Sequence, residues 1–191
     1  EGANIVIGDI EAEVLDRAAI ALDNAGIPVE AVVTDVAQRD QVVALADAAT
    51  TRFGDIHFLH NNAGVTTAGL AEELSDTQWD WVMDVNLKGG YFLSARMAAR
   101  CMAEQRPGAI ISVASTHGLV GIADRSVYSI SKGGIVQMTR ALAIEWAKAG
   151  IRVNAVAPGT VLTPSRARML AEPARRQRML DRIPIGRFPS V

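Results

Sequence analysis

Short apolar, β-branched runs alternate with helix-period segments along almost the whole chain, and this alternation restricts the available folds more than any other feature. Residues 4–9, 29–33, 56–60, 109–113 and 152–157 read as strands. Residues 11–25, 39–53, 75–84, 87–104 and 126–148 carry apolar side chains at helical spacing. A strand, a helix and a second parallel strand need a right-handed crossover. The order therefore predicts an α/β fold, a Rossmann-type doubly wound parallel sheet with helices on both faces. With 191 residues and 49% hydrophobic content the chain can bury one sizeable core, and no repeat, linker or low-complexity tract marks a second domain. Residues 1–191 are expected to form a single domain.

Sheets of this kind bind ligands just beyond the carboxyl ends of their strands, where strand order reverses. Here those positions are Asp9, Asp35, residues 61–64, Ser115 and residues 158–160. The net charge of −2, from 19 basic and 21 acidic side chains, argues against nucleic acid as a partner. No apolar run approaches the roughly 18 residues that span a bilayer, and the first residues lack the features of a signal peptide, so the chain reads as cytoplasmic, with no membrane partner. The single cysteine, Cys101, excludes an internal disulfide and reads as a packed thiol on a helix. With only three histidines beside it, no metal-ligand spacing appears.

The stretch "SVYSISKGG" at 126–134 sets Tyr128 and Lys132 four residues apart, on one face of a helix. A nearby cation favours phenolate over phenol, which equips Tyr128 as general acid and base for the proton of an alcohol or carbonyl. Taken alone, the pair is a weak signal and is better read as a half-buried tyrosine beside a snorkelling lysine. Upstream, "IISVASTHG" at 110–118 ends a strand with hydroxyls at Ser112, Ser115 and Thr116, and Ser115 is suited to hydrogen-bond an oxygen that Tyr128 protonates. With "NNAG" at 61–64 and Asn86 in "DVNLKG", these motifs, in this order, resemble the classical short-chain dehydrogenase/reductase family over essentially all 191 residues.

The resemblance implies a single NAD(P)-binding domain that transfers a hydride between a nicotinamide and a carbon bearing oxygen. Tyr128 would move the proton and Ser115 would orient the oxygen. Lys132 would bind the nicotinamide ribose and favour the tyrosinate, and Asn86 would hold a water linking Lys132 to solvent. Asn62, Ala63 and Gly64 would let the cofactor approach. Asp9, at the end of a strand, would accept hydrogen bonds from both adenosine ribose hydroxyls and repel a 2′-phosphate, favouring NAD over NADP; as a residue it also fits a helix N-cap. Asp35 and Val36 in "VTDV" would flank the adenine, with Asp35 again open to an N-cap role. In "PGTVLTP", Pro158, Gly159, Val161 and Thr163 would close over the nicotinamide, although Pro158 and Gly159 are also ordinary turn residues.

A substrate lid is expected at about 162–187, where seven arginines face Glu172 and Asp181, a local charge of +5 that suits either an anionic substrate or a solvated helix face. Residues 66–69 and 116–118, with His117 as a possible donor, would line the substrate side and lean toward a small polar ketone or secondary alcohol such as a sugar, polyol or hydroxy-acid derivative. Apolar stripes on 87–104 and 126–148 either cover their own sheet or, as in the family, pair across a two-fold axis in a homotetramer or homodimer. No first strand and glycine-rich turn precede Asp9, and "IPIGRFPSV" stops without another strand, so the chain is expected to be incomplete at both ends. Two other readings stand beside the oxidoreductase. One is a non-catalytic nucleotide-binding or interaction protein of the same fold. The other is a nucleotide-sugar epimerase, which shares the tyrosine–lysine pair but typically needs a larger C-terminal substrate domain.

Overall fold

The computed structural model describes residues 2–163, 167, 168 and 170–189. Strands β1 (Ile5–Asp9), β2 (Val29–Val33), β3 (Phe58–Asn61), β4 (Gly108–Val113) and β5 (Ile151–Val156) are all parallel to their partners. The expected parallel α/β architecture, with helices on both sides, is borne out. The strands form two ladders, β1–β2 and β3–β4–β5, and among the described residues no ladder joins them. Apolar runs identify strands, but which edges pair is decided by contacts far apart in sequence. Register places Asn61 opposite Ser112 and Val113 opposite Val156, so the carboxyl ends of β3, β4 and β5 lie level.

Helices α1 (Ala12–Asn24), α2 (Arg39–Phe53), α3 (Asp76–Met83), α4 (Gly89–Ala103) and α5 (Ser126–Trp146) connect or follow these strands, within a residue or two of their expected limits. α3 opens with a capping box, in which Ser75 Oγ accepts from the Gln78 amide at 3.3 Å and Gln78 Oε1 accepts from the Ser75 amide at 3.0 Å. Two helices were expected around 84–87. Instead α3 runs through a π turn, Asp84–Lys88, directly into α4, because no proline or glycine interrupts residues 76–88. At the far end of α5, Gly150 takes the left-handed conformation (φ 72°) that stops the helix and admits β5.

The core is built where α4 and α5 meet the three-stranded ladder. Met97, Ala98 and Cys101 of α4 pack with Ile110 of β4, Leu142 and Trp146 of α5, and Ile151 and Val153 of β5. Burying each of the larger side chains stabilises the fold by about 1.5–3 kcal/mol. Cys101 is the packed helix thiol expected, and burial pushes its thiol pKa up. Val127, Ser131, Lys132 and Ile135 line the same buried face of α5, so a lysine and a serine occupy positions that pattern alone would give to apolar residues.

The residues fall into two compact units, Glu1–Ala157 and Pro158–Val191. In the second, α6 (Pro173–Leu180) begins with proline in its first turn, Arg176 stacks over the Phe188 ring at 5.1 Å, and the Leu162 amide donates to Pro189 O at 2.9 Å. Pro164, Ser165, Arg166 and Met169 of the expected lid lie outside the described residues.

One contact in the first unit is tight enough to test. A Cβ on Gly89 would stand 2.5 Å from Val36 O, so the loop after β2 rests directly on the helix at its π-turn join. Gly89→Ala should therefore lower the melting midpoint by about 2–6 °C, since overlap with backbone outweighs the helix preference of alanine. A higher midpoint by calorimetry would contradict this packing.

Candidate active site

The π turn aims Asn86 inward, leaving it 4% exposed. Its Oδ1 accepts from the Val65 amide at 2.7 Å, and its Nδ2 donates to Val65 O and to Ser131 Oγ, both at 2.9 Å. The Asn86 amide thus joins the loop after β3 to helix α5. Asn61, first of the "NNAG" residues, has a different task. Its Nδ2 is within reach of Ser94 Oγ at 2.9 Å, Ser112 Oγ at 3.2 Å and Gly90 O at 3.3 Å, which ties β3 to α4 and β4.

At the end of β4, Ser115 is extended and 7% exposed, and its Oγ accepts from the His117 amide at 3.2 Å to open a short 3-10 turn, Thr116–Gly118. That turn lies on α5 with no side chain between. A Cβ on Gly118 would meet the carbonyl carbon and oxygen of Lys132 at 2.6 Å. The His117 ring stands edge-on to Tyr128, 6.1 Å between centroids. Lys132 Nζ lies 5.8 Å from the Tyr128 ring centroid and donates to Val113 O at 2.7 Å. Lys132 is only 4% exposed, and burial pushes its pKa below the usual ammonium value. Asn86, Ser115, Tyr128 and Lys132, four residues singled out in the sequence, are thereby gathered around the first turns of α5.

Between β1 and β3 opens a cavity of about 600 Å³, lined by Asp9, Asp35, Val36, Asn62, Ala63, Gly64 and Asn86 among others. Ser115, Tyr128 and Lys132 are not part of its lining. Asp9 does not cap a helix. Its Oδ1 accepts from the Glu11 amide at 2.9 Å, and Glu11 stands at the N-cap without a side-chain bond. Asp35 likewise forms a local turn, accepting from the Ala37 amide at 2.9 Å, while Gln38 is the N-cap of α2. Gly64 leaves a niche beside the cavity, because a Cβ there would stand 3.4 Å from Lys132 Nζ and 3.5 Å from Asn86 Oδ1. A cavity of this size, lined by Asp9, Asp35, Val36, the loop at 62–64 and Asn86, fits a nicotinamide dinucleotide. Pro158, Gly159, Val161 and Thr163 belong to the second unit, where the Thr163 amide donates to Val161 O at 3.0 Å.

Two contributors were not legible. Ser131 is a small residue in a helix, and Arg125 reaches back to Thr66 Oγ1 at 3.2 Å and Thr67 O at 3.0 Å across 58 residues or more. Gly118, expected on the substrate side, turns out to seat its turn on α5. Among the described residues no group of acidic, histidine or cysteine side chains could hold a metal, and no helix is long and apolar enough to cross a membrane.

The family model for short chain dehydrogenases matches residues 1–174. The chain belongs to the classical short-chain dehydrogenase/reductase family. It is 40% identical over 190 residues to 3-oxoacyl-[acyl-carrier-protein] reductase of Thermotoga maritima, covering 98% of this chain and 75% of that protein. It is 42% identical over 188 residues to cis-4-hydroxycyclohexanecarboxylate dehydrogenase of Sinomonas cyclohexanicum, covering 98% and 74%. A solved structure from Sinorhizobium meliloti, provisionally assigned as a short-chain alcohol dehydrogenase, superposes with a TM-score of 0.91 at 34% identity over 99% of this chain and 75% of that one. The chain is accordingly an oxidoreductase of a family that acts on CH–OH groups of small molecules with a nicotinamide cofactor.

In this short-chain dehydrogenase the buried ammonium has a pH signature. Its folded-state pKa is depressed, so the cost of burying the charge is fully present below that pKa and is relieved as pH rises toward the unfolded value of about 10.5. Lys132→Met should melt at a higher temperature relative to wild type at neutral pH than at pH 10, the difference shrinking as pH rises. A difference that is constant with pH in thermal melts would refute the assigned cause.

Proposed function

We propose that this chain is an NAD-dependent dehydrogenase that moves a hydride between the nicotinamide and a secondary alcohol or ketone, with Tyr128 as general acid and base. The observation that carries the proposal is the seating of the Ser115 turn, through Gly118, on the helix that bears Tyr128 and Lys132. A bound nicotinamide supplies or accepts the hydride; the remaining work falls to side chains. In reduction Tyr128 gives its hydroxyl proton to the substrate oxygen, and in oxidation it takes that proton back. Ser115 Oγ donates to the same oxygen and holds it toward the phenol. The Lys132 ammonium stabilises negative charge on the Tyr128 oxygen as its proton leaves, and would hold the ribose of a bound nicotinamide cofactor. Asn86, beside the niche at Gly64, holds the water that links Lys132 to solvent.

The choice of NAD rests on Asp9, an exposed carboxylate at the cavity rim followed by Ile10 and Glu11, so no cation is adjacent to receive a 2′-phosphate. Asp35 and Val36 would bound the adenine side, and the family resemblance assigns the substrate lid to about 162–187 and the nicotinamide contacts to Pro158, Gly159, Val161 and Thr163. The relatives' names support a secondary alcohol or ketone within a larger polar molecule. Self-association into a homotetramer or homodimer belongs to the same proposal. An apolar groove of about 750 Å³ between the π turn, α4 and α5 exposes Leu87, Tyr91 and Met138, suited to a second copy across a two-fold axis.

Each part has a direct measurement. With NADH and ethyl acetoacetate as probe, Tyr128→Phe should lose about 10²–10⁴-fold in kcat while melting within about 2 °C of wild type; near-normal turnover would remove Tyr128 from the mechanism. Asp9→Ala should raise kcat/KM with NADPH relative to NADH about tenfold, and a wild type that prefers NADPH would sink the NAD assignment. Tyr91→Glu should shift sedimentation velocity from an oligomer to the monomer, whereas a wild-type monomer would show that the groove serves another end.

A further inference from the structure

We infer that Ser131 is a positioning residue of the active site, which fixes the Asn86 amide against helix α5 and so holds the loop after β3 in register with the Tyr128–Lys132 turn. The inference rests on the dehydrogenase reading above. Ser131 is completely buried. Its Oγ lies 2.8 Å from Tyr128 O and 2.9 Å from Asn86 Nδ2. A carbonyl oxygen can only accept, so the Ser131 proton is committed to Tyr128 O, and its lone pair must take a hydrogen from Asn86. Asn86 Nδ2 therefore faces Ser131, and Oδ1 is turned to the Val65 amide.

The result is a connected chain of hydrogen bonds. Val65 and Asn86 exchange a reciprocal pair, Asn86 donates its other amide hydrogen to Ser131, and Ser131 donates to the carbonyl of the residue that carries the reacting phenol. Its two ends are the residue after "NNAG" and the first turn of α5. Asn86 Oδ1 and Lys132 Nζ both border the niche at Gly64, so a rotation of the amide changes what the Lys132 ammonium faces. Without the serine hydroxyl, one Asn86 hydrogen is left unpaired in a buried site, and the amide is held by Val65 alone, no longer tied to α5.

Hydrogen exchange at the Val65 amide reads this anchor without reference to activity. In Ser131→Ala that amide should exchange about tenfold faster while the β4 amides keep their wild-type rates. With NADH and ethyl acetoacetate, kcat should fall about tenfold while the NADH dissociation constant changes less than about twofold. Ser131→Thr, which keeps the hydroxyl, should recover most of both. Added to Asn86→Ala, Ser131→Ala should have little further effect on kcat, because the two act through one bond. Unchanged exchange at Val65, exchange raised uniformly through β4, an unchanged kcat, additive effects with Asn86→Ala, no recovery in Ser131→Thr or failure of Ser131→Ala to fold would each overturn the inference. A wild type that fails to reduce any ketone would overturn the dehydrogenase reading instead, and exchange at Val65 would still decide whether Ser131 anchors Asn86.

Discussion

The site depends on a backbone contact. At Gly118 the turn leaving β4 touches the main chain of α5 at Lys132, and no side chain larger than hydrogen can stand between them. That contact fixes where Ser115 emerges relative to Tyr128, since the first is three residues before the glycine and the second one helical turn before the lysine. Strand β4 acts on both partners, because it delivers Ser115 at its end and offers Val113 O to the Lys132 ammonium. A buried polar group without a partner costs about 1–3 kcal/mol, and more when charged. The acceptor at the end of β4 is therefore part of what makes a buried lysine tolerable here.

Lysine on the buried face of α5 opposes stability even so, as its depressed pKa records. Proteins depart from local rules of packing chiefly where function requires it. Burial also places the ammonium in a region of low dielectric, where its field at the phenol is least screened by water. This sets the arrangement apart from a non-catalytic binding protein of the same fold, in which a buried cation beside a tyrosine would be a cost without a return. The sheet architecture, by contrast, is generic and would serve either.

What the sequence disclosed was whatever is encoded over short distances. Apolar runs marked every strand, helical period marked α1, α2 and α5, and the four side chains gathered around α5 were legible because each sits in a short motif after a strand or on a helix. Legibility ended where partners are remote. The separation of the strands into two ladders depends on edges that meet in space, and the π turn at Asp84–Lys88 depends on α5 receiving Asn86. Asp9 and Asp35 looked equally suited to capping helices. Each instead bonds an amide two residues on, because the N-cap positions fall later, at Glu11 and Gln38. Ser131 carried no signal, since a serine in a helix is ordinarily an indifferent surface residue, and only the position of Asn86 gives it a task.

The contact between Val36 O and Gly89 has a further consequence. Gly89 lies three residues beyond Asn86, so the loop that borders the cavity at Asp35 and Val36 and the turn that carries the Asn86 amide share one wall. Substitutions at residues 35–37 would press on that wall from one side, and the displacement would reach the Asn86 turn on the other. Such substitutions would need compensating changes near residue 89, and enzymes of this build should vary that loop and their asparagine turn in step rather than one at a time.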